Sequence, residues 1–312
     1  MYRLVTRSDF DGLVCAVFLE HLEMIDEITF VHPKDMQDGK IEITGRDITT
    51  NLPFVEGVHL AFDHHASEVL RNETNERHVI HADAPSAARV VWEHFGGHAA
   101  FPAKWDEMLA AVDKADAAQF SREEILDPSG WELLNFIMDP RTGLGRFREF
   151  RISNYQLMMD LIAACKEHTI DEILELPDVA ERIELYRAHE AAAREQLERC
   201  ATIHDNLILL DLTGEETIWA TNRFTVYAMF PMCDISIHKM WGFQQQNIVF
   251  ATGKSIIDRG CTTHVGELML RFGGGGHAAA GTCQIPTDEA DDVQKKLVEV
   301  IVADHRDKLA DD

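Results

Sequence analysis

The sequence predicts an α/β protein with an N-terminal, mostly parallel sheet flanked by helices, a helical linker and a smaller C-terminal α/β domain. Three observations predict this fold. The first third of the chain alternates short apolar runs with amphipathic stretches. The middle third has a helical apolar period, which changes to two after residue 204. A chain of 312 residues is also long enough for about two domains with separate cores.

The first third contains the elements of the predicted parallel sheet. Short apolar runs predict strands at residues 2–6, 28–32, 47–51, 58–62 and 79–81. Apolar residues at helical spacing predict helices at 13–22 and 85–95, the second with a proline near its first turn. Strands that alternate with helices are typical of a parallel sheet, in which ligands bind beyond the carboxyl ends of the strands.

The rest of the chain divides into a helical segment and a second sheet. Helices are predicted at 106–118, 131–138, 154–166 and 179–200, the last free of glycine and proline. Strands at 207–212, 216–221, 233–238 and 247–252 precede a helix at 265–271. The predicted limits are 1–178 for the first domain, 179–204 for the linker and 205–312 for the second domain.

Composition and charge restrict the classes of partner. The formal net charge of -25 at pH 7 argues against long nucleic acid and favours a short phosphorylated substrate that local cations can capture. The six cysteines are scattered without a CxxC pair, so a zinc ribbon or a disulfide framework is not indicated. Without an apolar signal region or a membrane-length apolar run, we expect a cytoplasmic protein with no membrane partner.

Two carboxylates follow the first predicted strand. Asp9 and Asp11 occupy alternate positions directly before Gly12. Because alternate side chains of an extended segment point to the same side, both carboxylates can face one cation. Carboxylate oxygens suit Mg²⁺ and Mn²⁺. Gly12 lets the following helix begin close behind them.

A second polar motif, Asp63-His64-His65, follows the apolar strand predicted at 58–62. Imidazole nitrogens are ligands for first-row transition metals. Adjacent side chains of an extended backbone cannot point the same way, so the two histidines should have different roles.

The glycine loop, residues 273–277, is the third motif. Gly273, Gly274, Gly275 and Gly276 directly precede His277. Four glycines lose much conformational entropy on folding, so their expected use is the close approach of the backbone to a ligand. Free backbone N–H groups can hold a phosphate, and His277 adds a donor.

Together these motifs resemble those of the DHH phosphoesterases that carry a C-terminal DHHA1 domain. This family includes nanoRNases, single-strand exonucleases and proteins labelled as exopolyphosphatases. The resemblance extends from residue 2 to about residue 285. It implies that His64 is a metal ligand, that Asp63 supports the site and that His65 lies nearer the phosphate.

The resemblance also implies functional residues outside the three motifs. Asp116, four residues before Phe120, matches a carboxylate that the family supplies from a helix, and Asp113, one turn earlier, is the alternative. Ser255 and Arg259 resemble the serine and arginine that DHHA1 domains direct at the substrate. The glycine loop would grip phosphate or base.

Two positions depart from the family pattern. Arg7 stands where many members have histidine, and Asn51 stands where they have an aspartate at the end of a middle strand; Asp47 is the alternative if that strand is shifted. Arginine cannot ligate a cation, but its guanidinium can grip a phosphate oxygen. We therefore expect one tight Mn²⁺ or Mg²⁺ site instead of two. The expected ligands are Asp9, Asp11, Asn51, His64 and Asp116.

The sequence thus predicts a metal-dependent phosphohydrolase whose second domain delivers a short anionic substrate across a cleft to the metal. Asp63, His65 and Arg7 would act at the phosphate. Short oligonucleotides, cyclic or linear dinucleotides, polyphosphate and small phosphoesters all stay open as substrates. The alternative function is a catalytically weak phosphate or nucleotide sensor with a degenerate metal site. A monomer and a homodimer are both compatible with the sequence.

Overall fold

A computed structural model of the chain describes residues 1–65, 76–147 and 150–311. It divides into two compact units. The first unit comprises Met1–Gln119 and Pro128–Leu185, and the second comprises Phe120–Asp127 and Tyr186–Asp312. The domain limits at 178 and 204 stay a prediction.

The first unit is built on a five-stranded sheet with the strand order β2-β1-β3-β4-β5. All of its strand pairs are parallel, as the sequence predicts. The strands are β1 (Tyr2–Thr6), β2 (Ile25–Phe30), β3 (Asp47–Thr50), β4 (Leu60–Asp63) and β5 (His78–Ile80). Because β2 and β3 lie on opposite sides of β1, the direction of the connections reverses at β1 and β3. Ligands of such sheets bind beyond the carboxyl ends of the strands at this reversal.

Helices pack around this sheet. Those of the first unit are α1 (Phe10–His21), α2 (Pro33–Gln37), α3 (Ala87–His94), α4 (Asp106–Asp116), α6 (Gly130–Met138), α7 (Asn154–Glu167) and α8 (Ile170–Leu174). Helix α1 is buried from Phe10 to Leu19 and contacts α3, α4 and α7. Its apolar sequence fits this fully buried position, since a helix that is apolar all round belongs in a core. Helix α9 (Pro177–Cys200) runs through the limit between the two units.

The second unit contains a six-stranded mixed sheet with the order β10-β11-β9-β8-β7-β6. Its strands are β6 (Ala201–His204), β7 (Leu207–Asp211), β8 (Ile235–Trp241), β9 (Ile248–Lys254), β10 (Gly275–Gly276) and β11 (Ala280–Ile285). The pair β7–β8 is parallel and the other pairs are antiparallel. The helices are α5 (Arg122–Leu126), α10 (Thr225–Met229), α11 (Val265–Leu270) and α12 (Ala290–Asp311). Helix α12 packs Leu297 and Ile301 into the core of this unit.

One predicted strand of the second unit is wrong. Residues 216–221 contain no strand. The carbonyl of Thr217 accepts a hydrogen bond from the side-chain amide of Gln196, whose oxygen accepts one from the N–H of Trp219. The N–H of Ala220 donates to Nδ1 of His189. Side chains of α9 thus take the place of the backbone hydrogen bonds to a neighbouring strand. The alternation of residues that predicted a strand is present, but these hydrogen bonds prevail.

None of the helices within the described ranges is both long enough and apolar enough to cross a membrane.

Candidate active site

Both carboxylate oxygens of Asp9 have partners within the first unit. It is the N-cap of α1, where its Oδ1 accepts a hydrogen bond from the N–H of Gly12 at 3.0 Å. Its Oδ2 lies 3.0 Å from Nε of Arg7. Burial raises the pKa of Asp9, and the charge of Arg7 opposes that rise. A Cβ at Gly12 would lie 2.1 Å from the carbonyl oxygen of Arg7, so only glycine lets α1 start this close to β1.

Asp11 lies beneath the amino end of α3. Its side chain is buried, and its two oxygens accept hydrogen bonds from the backbone N–H groups of Ala87, at 3.0 Å, and Ala88, at 2.8 Å. The free N–H groups and the dipole at a helix N-terminus stabilise a negative charge. Burial and the charge of Asp116 nevertheless raise the pKa of Asp11 to about 8.

His64 and Asp116 complete a group with Asp11. Nε2 of His64 lies 2.8 Å from Oδ2 of Asp116, and its Nδ1 lies 3.2 Å from the carbonyl oxygen of Ala84. Nδ1 is therefore positioned to donate to this carbonyl, which leaves Nε2 for a cation. Burial lowers the pKa of His64, but the hydrogen bond and charge of Asp116 outweigh it and raise that pKa to about 9.

The ligand atoms of Asp11, His64 and Asp116 all lie within 4.8 Å of one another. Two carboxylates and one imidazole at this separation can hold a divalent cation, whose charge would offset the negative charge of Asp116 that helps to raise the pKa values of Asp11 and His64. Asp9 belongs to neither of the three-residue ligand groups found in the described ranges. Of the expected ligands, the structure thus assembles three and holds Asp9 in a cap and an ion pair.

Asp63 orients the histidine pair. It is 1% exposed, and its Oδ1 accepts hydrogen bonds from the backbone N–H groups of His64, at 2.8 Å, and His65, at 3.3 Å. The same oxygen lies 2.7 Å from Nδ1 of His65. The ring of His65 is 42% exposed, whereas that of His64 is 12% exposed. The two rings thus have the different surroundings expected of adjacent histidines, and the ring of His65 is the more exposed to solvent.

The structure distinguishes the predicted site residues Asn51 and Asp116 from their respective alternatives, Asp47 and Asp113. Asp47 begins β3 and pairs with Nε of Arg3 at 2.7 Å, at the amino end of the sheet. Asn51 directly follows β3 at the carboxyl end. Asp113 accepts a hydrogen bond from Nε of Arg89 at 2.9 Å, which gives its carboxylate a structural partner.

Arg141 is electrostatically coupled to this site, although it was not among the predicted site residues. Its Nε lies 2.7 Å from Oδ1 of Asp139, and its side chain is 52% exposed. Partial burial lowers the pKa of Arg141, but the charges of Asp139, Asp9 and Asp116 outweigh this effect and raise it. Arg141 in turn lowers the pKa of Asp9. No local sequence signal links residue 141 to residues 9 and 116, because the fold alone brings them together.

In the second unit, most of the glycine loop serves the fold. A Cβ on Gly274 would lie 2.1 Å from the carbonyl oxygen of Thr282, and one on Gly276 would lie 2.2 Å from that of Ala280. Gly273 and Gly276 also have positive φ angles, of 74° and 157°. Three of the four glycines are therefore required by the backbone around the hairpin β10–β11, and the expected contact of the loop with a ligand stays a prediction. A Cβ on Gly275 would meet nothing within 4 Å, so Gly275 keeps the expected role.

Among the other predicted substrate residues, Ser255 lies at the end of a strand that pairs with the hairpin of the glycine loop. Ser255 follows β9, and Gly253 of β9 pairs with Ala280, just after the glycine loop. Ser255 is buried, and its Oγ accepts hydrogen bonds from the N–H groups at 257 and 258, so it stabilises a turn. Arg259 and His277 are exposed. Their role as substrate contacts stays a prediction.

We predict that the metal-free protein releases protons when it binds Mn²⁺. Asp11 and His64 have pKa values of about 8 and about 9, so both are largely protonated at pH 7. A cation requires their deprotonated forms. The apparent affinity should therefore rise from pH 6.5 to pH 9, by up to about tenfold per pH unit for each proton displaced. Titration calorimetry in buffers of different ionisation enthalpy measures the released protons; an affinity that is independent of pH would contradict the assignment.

Comparison with known proteins places the chain in a family. Neither the scan of family profiles nor the search of curated proteins found a match. Among solved structures, the pGpG-specific phosphodiesterase PggH from Vibrio cholerae is 64% identical, with a TM-score of 0.88 over 97% of this chain and 100% of that chain. CDC45 from Entamoeba histolytica shares the fold at 8% identity, with a TM-score of 0.51 over 96% of this chain and 95% of its own.

The 64% identity applies to 97% of this chain, so the similarity includes both units. The parallel sheet with its motifs at the strand ends and the second sheet with its glycine loop are the arrangement that the sequence predicts. The chain belongs to the DHH/DHHA1 family of phosphoesterases, which are hydrolases that act on phosphoester bonds.

Proposed function

We propose that the protein is a metal-dependent phosphodiesterase that hydrolyses linear dinucleotides such as pGpG to mononucleotides. The observation that carries this proposal is the 64% identity to a pGpG-specific phosphodiesterase over the full length of that chain. The net charge of -25 supports a short substrate, because a long polyanion would be repelled by the surface as a whole. The same sequence identity, which is to an enzyme, favours a hydrolase over the alternative of a sensor without turnover.

Asp11, His64 and Asp116 would hold one Mn²⁺ or Mg²⁺ ion. The mixed oxygen and nitrogen ligands suit Mn²⁺, and a positive charge would offset the repulsion between the neighbouring carboxylates of Asp11 and Asp116. When bound, such a cation polarises a phosphoryl oxygen and makes water more acidic. Asp63 would fix the orientation of His65, whose exposed ring can donate a hydrogen bond to the phosphate.

Arg7 and Arg141 would supply positive charge where other family members place more of the metal centre. Arg7 pairs with Asp9 at 3.0 Å, and Arg141 is electrostatically coupled to Asp9 and Asp116. Both are guanidinium groups, which bind phosphate oxygens through fixed N–H pairs. From the second unit, Arg259, Gly275 and His277 would contribute to binding of the substrate.

We also propose that the protein acts in the cytoplasm. All six of its cysteines are free thiols, and three of the four buried ones have pKa values raised to 11 or 12 by burial. Inert, unpaired thiols are typical of proteins in a reducing compartment.

A substrate panel tests the proposed function. Purified protein with Mn²⁺ would be assayed with pGpG, cyclic di-GMP, a 5′-phosphorylated pentaribonucleotide and tripolyphosphate. We expect the highest kcat/KM for pGpG, by at least about tenfold, and no turnover of any substrate after chelation. A preference for the pentamer or for tripolyphosphate, or an absence of turnover with metal present, would overturn the proposal.

We predict that Arg141→Ala raises the KM for pGpG by roughly 10-fold to 100-fold. A hydrogen bond to a charged group contributes about 1.5–3 kcal/mol, and Arg141 would make its contact before and during the reaction. Arg151→Ala is the matched control, because Arg151 is 64% exposed and faces Asp178 at 3.6 Å. Steady-state kinetics that show equal KM values for both variants would remove Arg141 from the substrate site.

A further inference from the structure

Asn51 combines three features that each cost free energy. Its φ angle is +54°, in the left-handed region that favours glycine. The residue is 1% exposed. Neither the oxygen nor the nitrogen of its side-chain amide has a hydrogen-bond partner among the described residues. Buried amides in folded proteins are nearly always paired, and strained conformations cluster at functional sites. Asn51 is therefore a candidate for a contact with something other than the protein.

The strand register places Asn51 inside the candidate site. Thr50 pairs with Thr6 of β1 and with Phe62 of β4. The residues that follow Thr6, Thr50 and Phe62 are Arg7, Asn51 and Asp63. These three residues therefore lie side by side at the carboxyl ends of neighbouring strands. The backbone N–H of Asn51 donates to the carbonyl of Phe62 at 3.1 Å. Asn51 thus lies between a guanidinium residue and the aspartate that orients the histidine pair.

A structural role does not explain the choice of asparagine. Glycine would adopt the left-handed backbone without a Cβ, and it would bury no amide. The side chain of Asn51 caps no helix and stabilises no turn in the described part of the chain, since it makes no hydrogen bond there. An external group that uses the amide would account for both the left-handed backbone and the atoms that are unpaired among the described residues.

We propose that Nδ2 of Asn51 donates a hydrogen bond to a non-bridging oxygen of the scissile phosphate. A carboxylate at this position could only accept hydrogen bonds, whereas an amide N–H can donate to an anion. Donors aimed at an oxygen that gains charge in the transition state act mainly on kcat. The inference rests on the proposed hydrolysis of dinucleotides and adds a substrate contact to it. Ligation of the cation by the amide oxygen is the competing role.

Three variants test the inference. Asn51→Gly keeps the left-handed backbone and removes the amide, and Asn51→Asp keeps the shape but replaces the donor with a carboxylate. Glu23→Gly is the matched control, because Glu23 is an exposed residue of the same unit with a φ angle of +55°. Each protein would be assayed for kcat and KM with pGpG, for Mn²⁺ per chain by elemental analysis and for melting temperature.

We expect Asn51→Gly to lower kcat by about 100-fold, as for loss of a transition-state donor, with an unchanged Mn²⁺ content and a melting temperature equal to or above that of the wild type. Asn51→Asp should be at least as slow and still bind one Mn²⁺. Glu23→Gly should keep the wild-type kcat.

Two results would overturn the inference while leaving the proposed function intact. In the first, Asn51→Gly keeps kcat within about threefold and melts lower, which would make the amide structural. In the second, Asn51→Asp gains a second tight Mn²⁺ and keeps its kcat, or Asn51→Gly loses its Mn²⁺, which would assign the position to the metal. A wild-type protein that does not hydrolyse pGpG would instead remove the proposed function, and this inference with it.

Discussion

Asp116→Asn is expected to abolish tight metal binding and hydrolysis together while the protein stays folded. The substitution removes a charged ligand from the group with Asp11 and His64, and residues that merely support ligands already change metal affinity by about 10-fold to 100-fold. The side chain of Asp116 is 23% exposed, so a neutral amide is tolerated there. Elemental analysis, pGpG turnover and thermal melting of the same preparation measure the three quantities.

Asp113→Asn is the control for this substitution. Asp113 lies one turn earlier in α4, and its carboxylate bonds to Arg89 and Ser86. Its loss should lower stability by about 1–3 kcal/mol and leave the Mn²⁺ content unchanged. If Asp113→Asn lost the metal and Asp116→Asn kept it, the ligand assignment would be wrong.

Asp11→Asn is a less informative variant than its position suggests. Both oxygens of Asp11 accept backbone N–H groups from the start of α3. An asparagine would present its NH₂ group to one of these donors, so loss of activity would mix metal loss with local unfolding.

Alanine at Gly274 or Gly276 is expected to destabilise the protein by at least about 2 kcal/mol each. A Cβ at either position would meet a backbone carbonyl oxygen at 2.1 Å or 2.2 Å, and the backbone of Gly276 has a φ angle of 157°. By contrast, Gly275→Ala should stay within about 0.5–1 kcal/mol of the wild type, because its Cβ would point into open space. Urea denaturation of the three variants measures these differences.

Kinetics of Gly275→Ala then test the expected ligand contact. If the backbone at 275 approaches the substrate closely, the added methyl group should raise the KM for pGpG while the fold stays intact. A stable Gly275→Ala with the wild-type KM would remove this glycine from the substrate site. A Gly275→Ala as unstable as the other two would contradict the geometry of the loop.

The sequence allowed the parallel sheet to be predicted because its signals are local. Each short apolar strand ends in a polar motif or a turn, and each following helix has its own apolar period. The same logic placed the residues after β1 and β4 at one edge, where Asp11 and His64 do lie together. Asp116 required the family resemblance, because an aspartate near the end of a helix carries no signal of its own.

Several contacts could not be predicted from the sequence, and most of them join distant segments. Engagement of Asp9 by Arg7 is an ion pair that competes with metal ligation, and spacing alone does not reveal which of the two prevails. The coupling of Arg141 to Asp9, the N-cap of α1, and to Asp116, at the end of α4, depends on the whole fold. The strand predicted at 216–221 failed for the same reason, since side chains of α9 bind its backbone.

We expect one bound cation per chain to suffice for hydrolysis of a dinucleotide. The most direct test titrates Mn²⁺ into chelator-treated protein and follows the release of GMP from pGpG. The rate should reach its plateau at one equivalent of Mn²⁺ per chain. A rate that continues to rise to two equivalents, or no GMP at any Mn²⁺ concentration, would contradict it.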